Sequence, residues 1–263
     1  MAKRAGASER KGTGTLSGEG RDYFLGRKMG RDILADPNDE RWWRESKYKL
    51  CLDRLGGLPP GARVLDVGCG LGLAAYRLAE TAGEVTAIDL SEFAIDFARS
   101  HYSRENLRFV RADVRAFSPD RTFDAAFCMD VIEHLDPPAG RLLLERIARL
   151  LVPGGVLFAH VPIAESAGGR RKLEEYLRKH AAGPDVLDHT GDPTHRATFS
   201  APSFRALLSS AGFRIAREHR KVHCWRPLRG LFRAVLASPL ASGRWRDAAT
   251  YSAVVRAETS RGD

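Results

Sequence analysis

The chain has 263 residues, of which 43% are apolar, and a formal net charge of +9. This length and composition predict one domain with extensions, or at most two small domains, with enough apolar side chains for a core. No run of eighteen apolar residues is present, so we expect no membrane-spanning helix. The first twenty residues are polar and glycine-rich, so we expect no secretory signal.

Four cysteines are scattered along the chain without C-x-x-C spacing: Cys51, Cys69, Cys128 and Cys224. This distribution argues against a disulfide framework and against a zinc site. It favours a reducing compartment, and we expect a cytoplasmic protein.

The positive charge is concentrated at the two ends of the chain. Residues 1–31 hold eight basic and three acidic residues, for +5, and residues 214–263 hold eleven and four, for +7. Residues 32–213 hold 23 and 26, for −3. A basic end can contact RNA, an anionic membrane or an acidic substrate, but it can also serve solubility alone. We expect residues 1–20, which have almost no apolar side chains, to be a disordered basic tail.

A strand, a glycine-rich turn and a helix follow one another near residue 70. The strand Arg63–Val67 contains β-branched residues, and Leu73–Ala79 is rich in helix formers. Asp66 would repel a pyrophosphate but suits a ligand with an ammonium group, and the D-x-G-x-G-x-G spacing differs from the dinucleotide fingerprint G-x-G-x-x-G. We predict that bare backbone meets a ligand here, the alternative being a tight turn without a ligand. The glycines stand at alternate positions: Gly68, Gly70 and Gly72.

Further strands alternate with helices along the chain, which predicts an α/β fold with a doubly wound, mostly parallel sheet. Ser91 is expected to cap a helix that ends near His101, and Arg141–Leu151 forms an amphipathic helix. In such a sheet the ligand binds at the carboxyl ends of the strands. Six predicted strands follow the first and complete a seven-stranded sheet: Glu84–Ile88, Leu107–Arg111, Phe123–Met129, Val156–Val161, Phe213–Glu218 and Tyr251–Arg256.

Acidic residues follow two of these strands. Asp89 ends the second strand, nineteen residues after Gly70, where a carboxylate can accept hydrogen bonds from a ribose diol. This feature indicates an adenosine ligand without distinguishing a dinucleotide from other adenosine compounds. Asp113 follows the third strand and is either a ligand contact or a helix cap.

The succession VLDVGCGLG, VTAIDLS, VRADV, FDAAFCMDVIEHL and LVPGGVLFAHVP resembles class I S-adenosylmethionine (SAM) dependent methyltransferases. It is similar to their small-molecule branch, which includes the ubiquinone and menaquinone biosynthesis methyltransferases, over about residues 60–220. The resemblance implies a Rossmann-like methyltransferase fold, SAM as cofactor and a small-molecule acceptor.

The resemblance also implies roles for individual residues. Asp89 would bind the ribose, with Leu90 beside it, and Asp113 would contact the adenine, with Val114 beside it. The backbone near Cys128 and Met129 would meet the amino group of SAM. The methionine part of SAM would lie on the glycine turn: Asp66, Gly68, Cys69, Gly70 and Gly72.

Three segments are predicted to lie over or beside this site. Residues 21–60 are expected to form N-terminal lid helices, with one helix at Asp39–Leu55 that Asn38 or Asp36 could cap, and residues 61–263 the methyltransferase domain. Residues 164–200 form an insertion after the fifth strand, which in similar enzymes commonly covers the substrate. Residues 225–249 form an amphipathic basic segment that could rest on an anionic membrane, cap the cleft, form a homodimer face or pack on its own domain. Trp42 and Trp43 are more simply explained by core packing than by substrate contact.

A hydroxyl acceptor needs a base, and histidine suits this role because its ordinary pKa is close to neutral. His134, His160, His189 and His195 are candidates, and we favour His195, near Asp188 and Asp192 in sequence, with His134 second. An ordinary structural histidine is the alternative for both. Asp130, Glu133 and His134 could also hold a metal ion, but helix-capping acids explain them equally well, and we expect no metal.

The sequence favours a SAM-dependent methyltransferase that acts on a hydroxyl of a small molecule in secondary or cell-envelope metabolism. An RNA methyltransferase is an alternative because the ends are basic, but no N-P-P-[YF] motif or appended RNA-binding module is visible, so a nucleic-acid partner is not expected. A non-catalytic SAM-binding regulatory protein is a further alternative. A nicotinamide dehydrogenase is disfavoured by the glycine spacing.

Overall fold

The computed structural model describes Asn38 and residues 40–163, 195–197, 199–223 and 250–259. Several predicted segments lie outside the described residues. They are the tail 1–20, nearly all of the insertion 164–200 and the whole of the basic segment 225–249. His189, Asp188 and Asp192 lie there as well, so the expectations for these parts stay predictions.

The strands form one sheet in the order β3-β2-β1-β4-β5-β7-β6. The first five strands are parallel, which confirms the predicted doubly wound α/β sheet, and β7 runs antiparallel to both β5 and β6. The chain order reverses between β1 and β4, and in sheets of this kind a ligand binds at that point, outside the carboxyl ends of the strands. The strands are β1 (Arg63–Val67), β2 (Glu84–Asp89), β3 (Leu107–Arg111), β4 (Phe123–Met129), β5 (Leu151–Ile163), β6 (Phe213–His223) and β7 (Thr250–Thr259).

Six described α-helices and one short 3-10 helix, Ile132–His134, connect the strands. The 3-10 helix follows β4 directly. No helix in this part of the chain combines the length and the hydrophobicity that a membrane-spanning segment requires. The α-helices are α1 (Glu40–Glu45), α2 (Lys47–Arg54), α3 (Leu73–Leu78), α4 (Glu92–His101), α5 (Pro137–Leu150) and α6 (Ala201–Ser210).

The predicted continuous helix Asp39–Leu55 is wrong, because the chain breaks into α1 and α2 at Ser46. This residue has an extended backbone (φ −67°, ψ 154°), and its Oγ accepts a hydrogen bond of 3.0 Å from the backbone N–H of Lys49. A serine that caps the next helix satisfies an N–H that would otherwise lack a partner. The break therefore makes α2 a separate helix that begins at Lys47.

The core has two layers, one on each face of the sheet. The alternation of β1 sends Leu65 to one face and Val64 to the other. Trp43 is buried in the second layer, which agrees with core packing, while Trp42 is partly buried beside it. The first layer joins the sheet to α5 and α6 through Leu143, Leu144, Ile147, Phe204 and Leu208. The second joins it to α2, α3 and α4 through Cys51, Leu55, Leu73, Leu78, Ile95 and Ala98.

Candidate functional site

The turn after β1 is built from glycines with positive φ. Gly68, Gly70 and Gly72 have φ angles of 72°, 53° and 88°, which disfavour residues with a Cβ. A Cβ on Gly68 would lie 2.4 Å from Cγ2 of Val131, so the loop also needs the absence of a side chain for space. The backbone N–H groups of Gly68 and Cys69 donate to the carbonyl of Ile88, at 2.8 and 3.0 Å. The turn is therefore fixed to β2, and its glycines add no side chains of their own.

Asp89 ties the end of β2 to this turn. Its Oδ2 accepts a hydrogen bond from the N–H of Gly70 at 2.9 Å, and its Oδ1 accepts one from the N–H of Ser91 at 2.8 Å. Burial raises the pKa of Asp89, while these backbone bonds oppose the shift. Each carboxylate oxygen keeps one further lone pair, which is the acceptor capacity that a ribose diol requires.

Asp66 is a fully buried carboxylate beneath the turn. Its Oδ1 accepts a hydrogen bond from the hydroxyl of Tyr48, but its Oδ2 has no hydrogen-bond partner among the described residues. Burial raises the pKa of Asp66 to about 7, the hydrogen bond from Tyr48 lowers it, and the charge of Asp89 raises it. A buried carboxylate oxygen without a donor is costly, and an ammonium group would satisfy it. The site thus fits the amino group of SAM.

A second group of charges lies where β4 ends. Asp130 has a φ of 56°, and its carboxylate accepts from Nζ of Lys47 and contacts Nδ1 of His160 at 2.5 Å. Burial raises the pKa of Asp130, but the charges of His160 and Lys47 outweigh it and hold that pKa well below its usual value. The structure therefore pairs Asp130 with Lys47 and His160. Sequence spacing gave no sign of the contact with Lys47, which is 83 residues away.

The two histidines predicted to be catalytic, His134 and His195, lie together. Their ring centroids are 4.6 Å apart and their planes are nearly perpendicular. The backbone N–H groups of Arg196 and Ala197 donate to the carbonyl of Glu133 at 2.8 and 3.0 Å, which fixes the chain beside His195 to the turn after β4. Two separate parts of the sequence therefore meet at the carboxyl edge of the sheet.

Glu133 completes this cluster. Its side chain is 1% exposed, and both carboxylate oxygens lack a hydrogen-bond partner among the described residues. Burial, and then the charge of Asp130, raise the pKa of Glu133 well above its usual value. One ligand atom from each of Glu133, His134 and His195 lies within 4.8 Å of the others. This is the arrangement of side chains in the described part of the chain that could hold a metal ion.

Three other predicted cofactor residues differ in which group they could offer to a ligand. Asp113 is paired with the guanidinium of Arg115, which lowers the pKa of that carboxyl. The side chain of Val114 is buried in the core, so its backbone is the part available to a ligand. Leu90 is 50% exposed, as is needed to pack on a flat ring.

The cysteines of the site are not nucleophiles. Burial raises the pKa of both Cys69 and Cys128, so both thiols stay protonated near neutral pH. Cys128 also pairs with Val67 and Ala159 in the centre of the sheet, and Met129 is buried at its end. Their backbones, rather than their side chains, border the site.

A parallel sheet with a glycine turn after β1, a buried carboxylate beneath it and a second carboxylate at the end of β2 is an arrangement typical of Rossmann-like folds. Comparison with known families agrees, because residues 64–155 match the family described as a methyltransferase domain. The predicted resemblance to class I SAM-dependent methyltransferases is confirmed.

Individual relatives give the same result. A ubiquinone biosynthesis O-methyltransferase of Alkalilimnicola ehrlichii is 41% identical over 110 residues, which are 40% of this chain and 43% of that protein. The match therefore spans less than half of the relative. Magnesium protoporphyrin IX methyltransferase from Synechocystis PCC 6803, solved with bound S-adenosylhomocysteine, has a TM-score of 0.57 at 19% identity, over 91% of this chain and 98% of that one. The likeness to the solved structure shows that the two chains share a fold.

The same fold occurs with other chemistry. The 4+2 cyclase SpnF has a TM-score of 0.56 at 24% identity, over 82% of this chain and 80% of that one. The fold by itself therefore does not fix the reaction.

Proposed function

We propose that the protein is a SAM-dependent methyltransferase that transfers a methyl group to a hydroxyl of a small molecule. The observation that carries the proposal is the buried Asp66, whose Oδ2 lacks a partner among the described residues directly beneath a bare glycine turn. The family match over residues 64–155 and the name of the 41% identical relative support methyl transfer to oxygen.

The cofactor is proposed to lie across the ends of β1, β2 and β4. Asp66 would hold the ammonium group, and Asp89 the ribose, while the exposed side chain of Leu90 would pack on the adenine. Asp113 would accept a hydrogen bond from the adenine amino group while it stays hydrogen-bonded to Arg115. Val114 would donate its backbone N–H to the adenine ring. The remaining cofactor contacts are proposed to come from backbone: Gly68, Cys69, Gly70, Gly72, Cys128 and Met129.

When bound, SAM supplies a methyl group on a positively charged sulfur, so the protein needs no covalent nucleophile. Its own residues must position the acceptor, exclude water and remove the hydroxyl proton. We assign the removal of that proton to the His134–His195 pair, because both rings lie at the carboxyl edge of the sheet near the end of β4. His195 is the first candidate and His134 the second.

Helix α2 is proposed to act as the lid. Lys47 contacts Asp130 after β4, and Tyr48 contacts Asp66 in β1, so neighbouring residues of one helix reach the ends of two strands. Residues 164–200 are proposed to complete the cover over the acceptor. Residues 225–249 are proposed to give contact with an anionic membrane or a second copy of the chain, and the buried free cysteines suit a reducing compartment such as the cytoplasm.

Two measurements on the full chain test this proposal. Calorimetric titration with S-adenosylhomocysteine should show one binding site, and Asp66→Asn should weaken that binding at least tenfold. Transfer of a labelled methyl group from SAM should then be measured on a panel of hydroxylated small molecules that includes ubiquinone precursors. A folded protein that does not bind the nucleoside would refute the cofactor assignment, and binding without transfer to any acceptor would favour a non-catalytic role.

Methylation of RNA is the second candidate, because the two ends of the chain carry +5 and +7. Binding through these ends would weaken steeply as salt rises, since it releases counterions. Tight, salt-dependent RNA binding together with methyl transfer to RNA would favour this candidate over the small-molecule one.

A further inference from the structure

A cavity of about 380 Å³ lies on the first-layer face of the sheet, beside β2, β3 and the start of β4. This volume is within the range of pockets that hold small molecules. Glu84 and Phe123, which line it, are the first residues of β2 and β4. The cavity therefore lies towards the amino ends of the strands, whereas the glycine turn follows the carboxyl end of β1.

The chain between β3 and β4 forms one wall of this cavity. Residues 112–122 make the crossing with turns and without a helix, so they cover less of the sheet than a helix such as α5 does. The crossing is fixed at Phe117, whose carbonyl accepts a hydrogen bond of 2.5 Å from the guanidinium of Arg146 in α5. The N–H of Phe117 donates to the carbonyl of Asp113 at 2.8 Å. These bonds hold the wall in place without the help of a ligand.

Thr86 is the buried polar side chain that lines the cavity. It lies on the same face of β2 as Ile88, two residues further on, while its neighbours Val85 and Ala87 pack in the second layer. Thr86 is 4% exposed, and its hydroxyl makes no hydrogen bond within the described part of the chain. A buried hydroxyl without a partner is unfavourable, and a polar atom of a ligand in the cavity would satisfy it.

Two arginines converge on one carboxylate at the edge of the cavity. The guanidinium of Arg108 donates to Oε1 of Glu84 at 2.8 Å, and that of Arg121 donates to Oε2 at 3.3 Å. One carboxylate between two guanidiniums leaves one positive charge, and each guanidinium keeps further N–H donors. Asp120 also lines the cavity, but it is exposed, so water screens its charge. The arrangement favours a planar monoanion, since arginine matches the geometry of a carboxylate.

We propose that this cavity binds a small aromatic carboxylate that carries a hydroxyl, at a second site separate from the proposed cofactor and acceptor sites. The carboxylate accepts hydrogen bonds from Arg108 and Arg121. The ring packs on Val110 and Phe117, and its hydroxyl pairs with Thr86. The inference does not rest on the proposed function, because the residues proposed for methyl transfer lie at the carboxyl edge of the sheet.

Binding is tested on the full chain by fluorine NMR, with 3-fluoro-4-hydroxybenzoate as the probe. We expect one site with a dissociation constant of about 1 mM or lower. Binding should weaken about fivefold or more in the double variant Arg108→Gln/Arg121→Gln, and about threefold or more in Thr86→Val. The neutral amide analogue of the probe should bind about fivefold or more weakly than the acid. Arg149→Gln is the matched control, because Arg149 is an exposed arginine of α5 that also contacts a glutamate.

The outcomes decide whether the second site exists. Absence of binding by the unaltered protein would overturn it, as would equal affinity in the double arginine variant and in Arg149→Gln. Weaker binding in His195→Ala with unchanged binding in the double variant would place the probe in the proposed acceptor site and also overturn the inference.

Two further measurements sharpen the test. Displacement of the probe by an equal concentration of inorganic phosphate, at constant ionic strength, would overturn the assignment to a carboxylate. If Thr86→Val does not fold, as judged by circular dichroism, the double arginine variant decides alone. No outcome depends on methyl transfer, so this inference and the proposed function can fail separately.

Discussion

Gly72 and Gly212 share a φ of 88°, but their surroundings differ. A Cβ on Gly72 would lie 2.7 Å from both Cβ of Ala98 and Cε1 of Phe109, whereas a Cβ on Gly212 would meet no atom within 4 Å. The two glycines therefore separate the cost of an unfavourable backbone conformation from the cost of crowding. Gly72 caps the start of α3 after the turn that follows β1, and Gly212 follows α6.

This comparison predicts unequal effects of alanine at the two positions. Gly212→Ala should lower the free energy of unfolding by about 1 kcal/mol, from backbone strain alone. Gly72→Ala should lower it by about 2–4 kcal/mol, because overpacking adds to the same strain. Urea unfolding of both variants measures the difference, and equal losses would show that the packing around Gly72 yields without cost.

Removal of the Tyr48 hydroxyl should weaken cofactor binding in a pH-dependent way. The hydrogen bond from Tyr48 lowers the pKa of Asp66, so Tyr48→Phe should raise that pKa further and leave less of the ionised carboxylate at pH 7. The phenylalanine ring keeps the stacking on Phe127, whose centroid is 5.2 Å away. We expect roughly threefold to tenfold weaker binding of S-adenosylhomocysteine at pH 7 and a smaller defect at pH 8.5, from calorimetry. Tyr76→Phe, on α3, is the control, and an equal defect at both pH values would contradict the explanation.

Replacement of Asp66 should weaken nucleoside binding and increase the free energy of unfolding. The pKa of about 7 in the folded protein exceeds the ordinary value near 3.8, so the folded state holds an extra proton between these values. The free energy of unfolding contributed by Asp66 therefore falls as the pH rises from about 4 to 7. Asp66→Asn keeps an acceptor for Tyr48 without this loss.

At pH 8 the Asp66→Asn variant should be more stable than the unaltered protein by about 2–4 kcal/mol, and at pH 5 by much less. Urea unfolding at both pH values checks this, and calorimetry should show at least tenfold weaker nucleoside binding. A stability difference that does not change between pH 5 and pH 8 would mean that Asp66 titrates near its ordinary pKa.

Replacement of His195 should affect turnover and spare the cofactor. His195 lies against His134 in the segment that follows β4, whereas the glycine turn follows β1. His195→Ala should lower kcat about 100-fold or more, while the dissociation constant of S-adenosylhomocysteine stays within about twofold. His101→Ala should change neither quantity. Near-normal turnover in His195→Ala would remove this residue from the mechanism.

The sequence predicted the parts of the fold that depend on local pattern. The bounds of β1, β3 and β4 are as expected, because apolar and β-branched runs are separated there by glycine or polar turns. The positive φ of Gly212, two residues after α6 ends at Ser210, also follows from local chemistry, since a left-handed residue after a helix is commonly glycine.

Three local predictions were inaccurate for physical reasons. Helix α5 begins at Pro137 rather than Arg141, because proline is tolerated in the first turn of a helix. Strand β5 runs through Pro153-Gly154-Gly155, which we expected to be a turn, and the pairing with β4 shifts register next to it. Ser46 is compatible in sequence with a helix interior or a cap, and only packing decides between them.

The sequence predicted which residues belong to the candidate site better than it predicted which of them are in contact. The glycines and Asp66 were selected from their order in the chain, and His134 and His195, both selected as candidates for the base, lie side by side. The pairs Tyr48–Asp66 and Lys47–Asp130 join residues 18 and 83 positions apart, and no local pattern carries that information. Such contacts depend on how α2 packs on the sheet.

The order of the strands has a consequence for how this protein could acquire a new substrate. The side chains proposed to hold the nucleoside follow β2 and β3, whereas Glu133, His134 and His195 follow β4 and β5 on the other side of the reversal in strand order. The two sets belong to different loops, which meet where Val131 packs beside Gly68. Under the proposed function, changes confined to the loops after β4 and β5 can alter the acceptor while the loops after β2 and β3 keep the proposed nucleoside site.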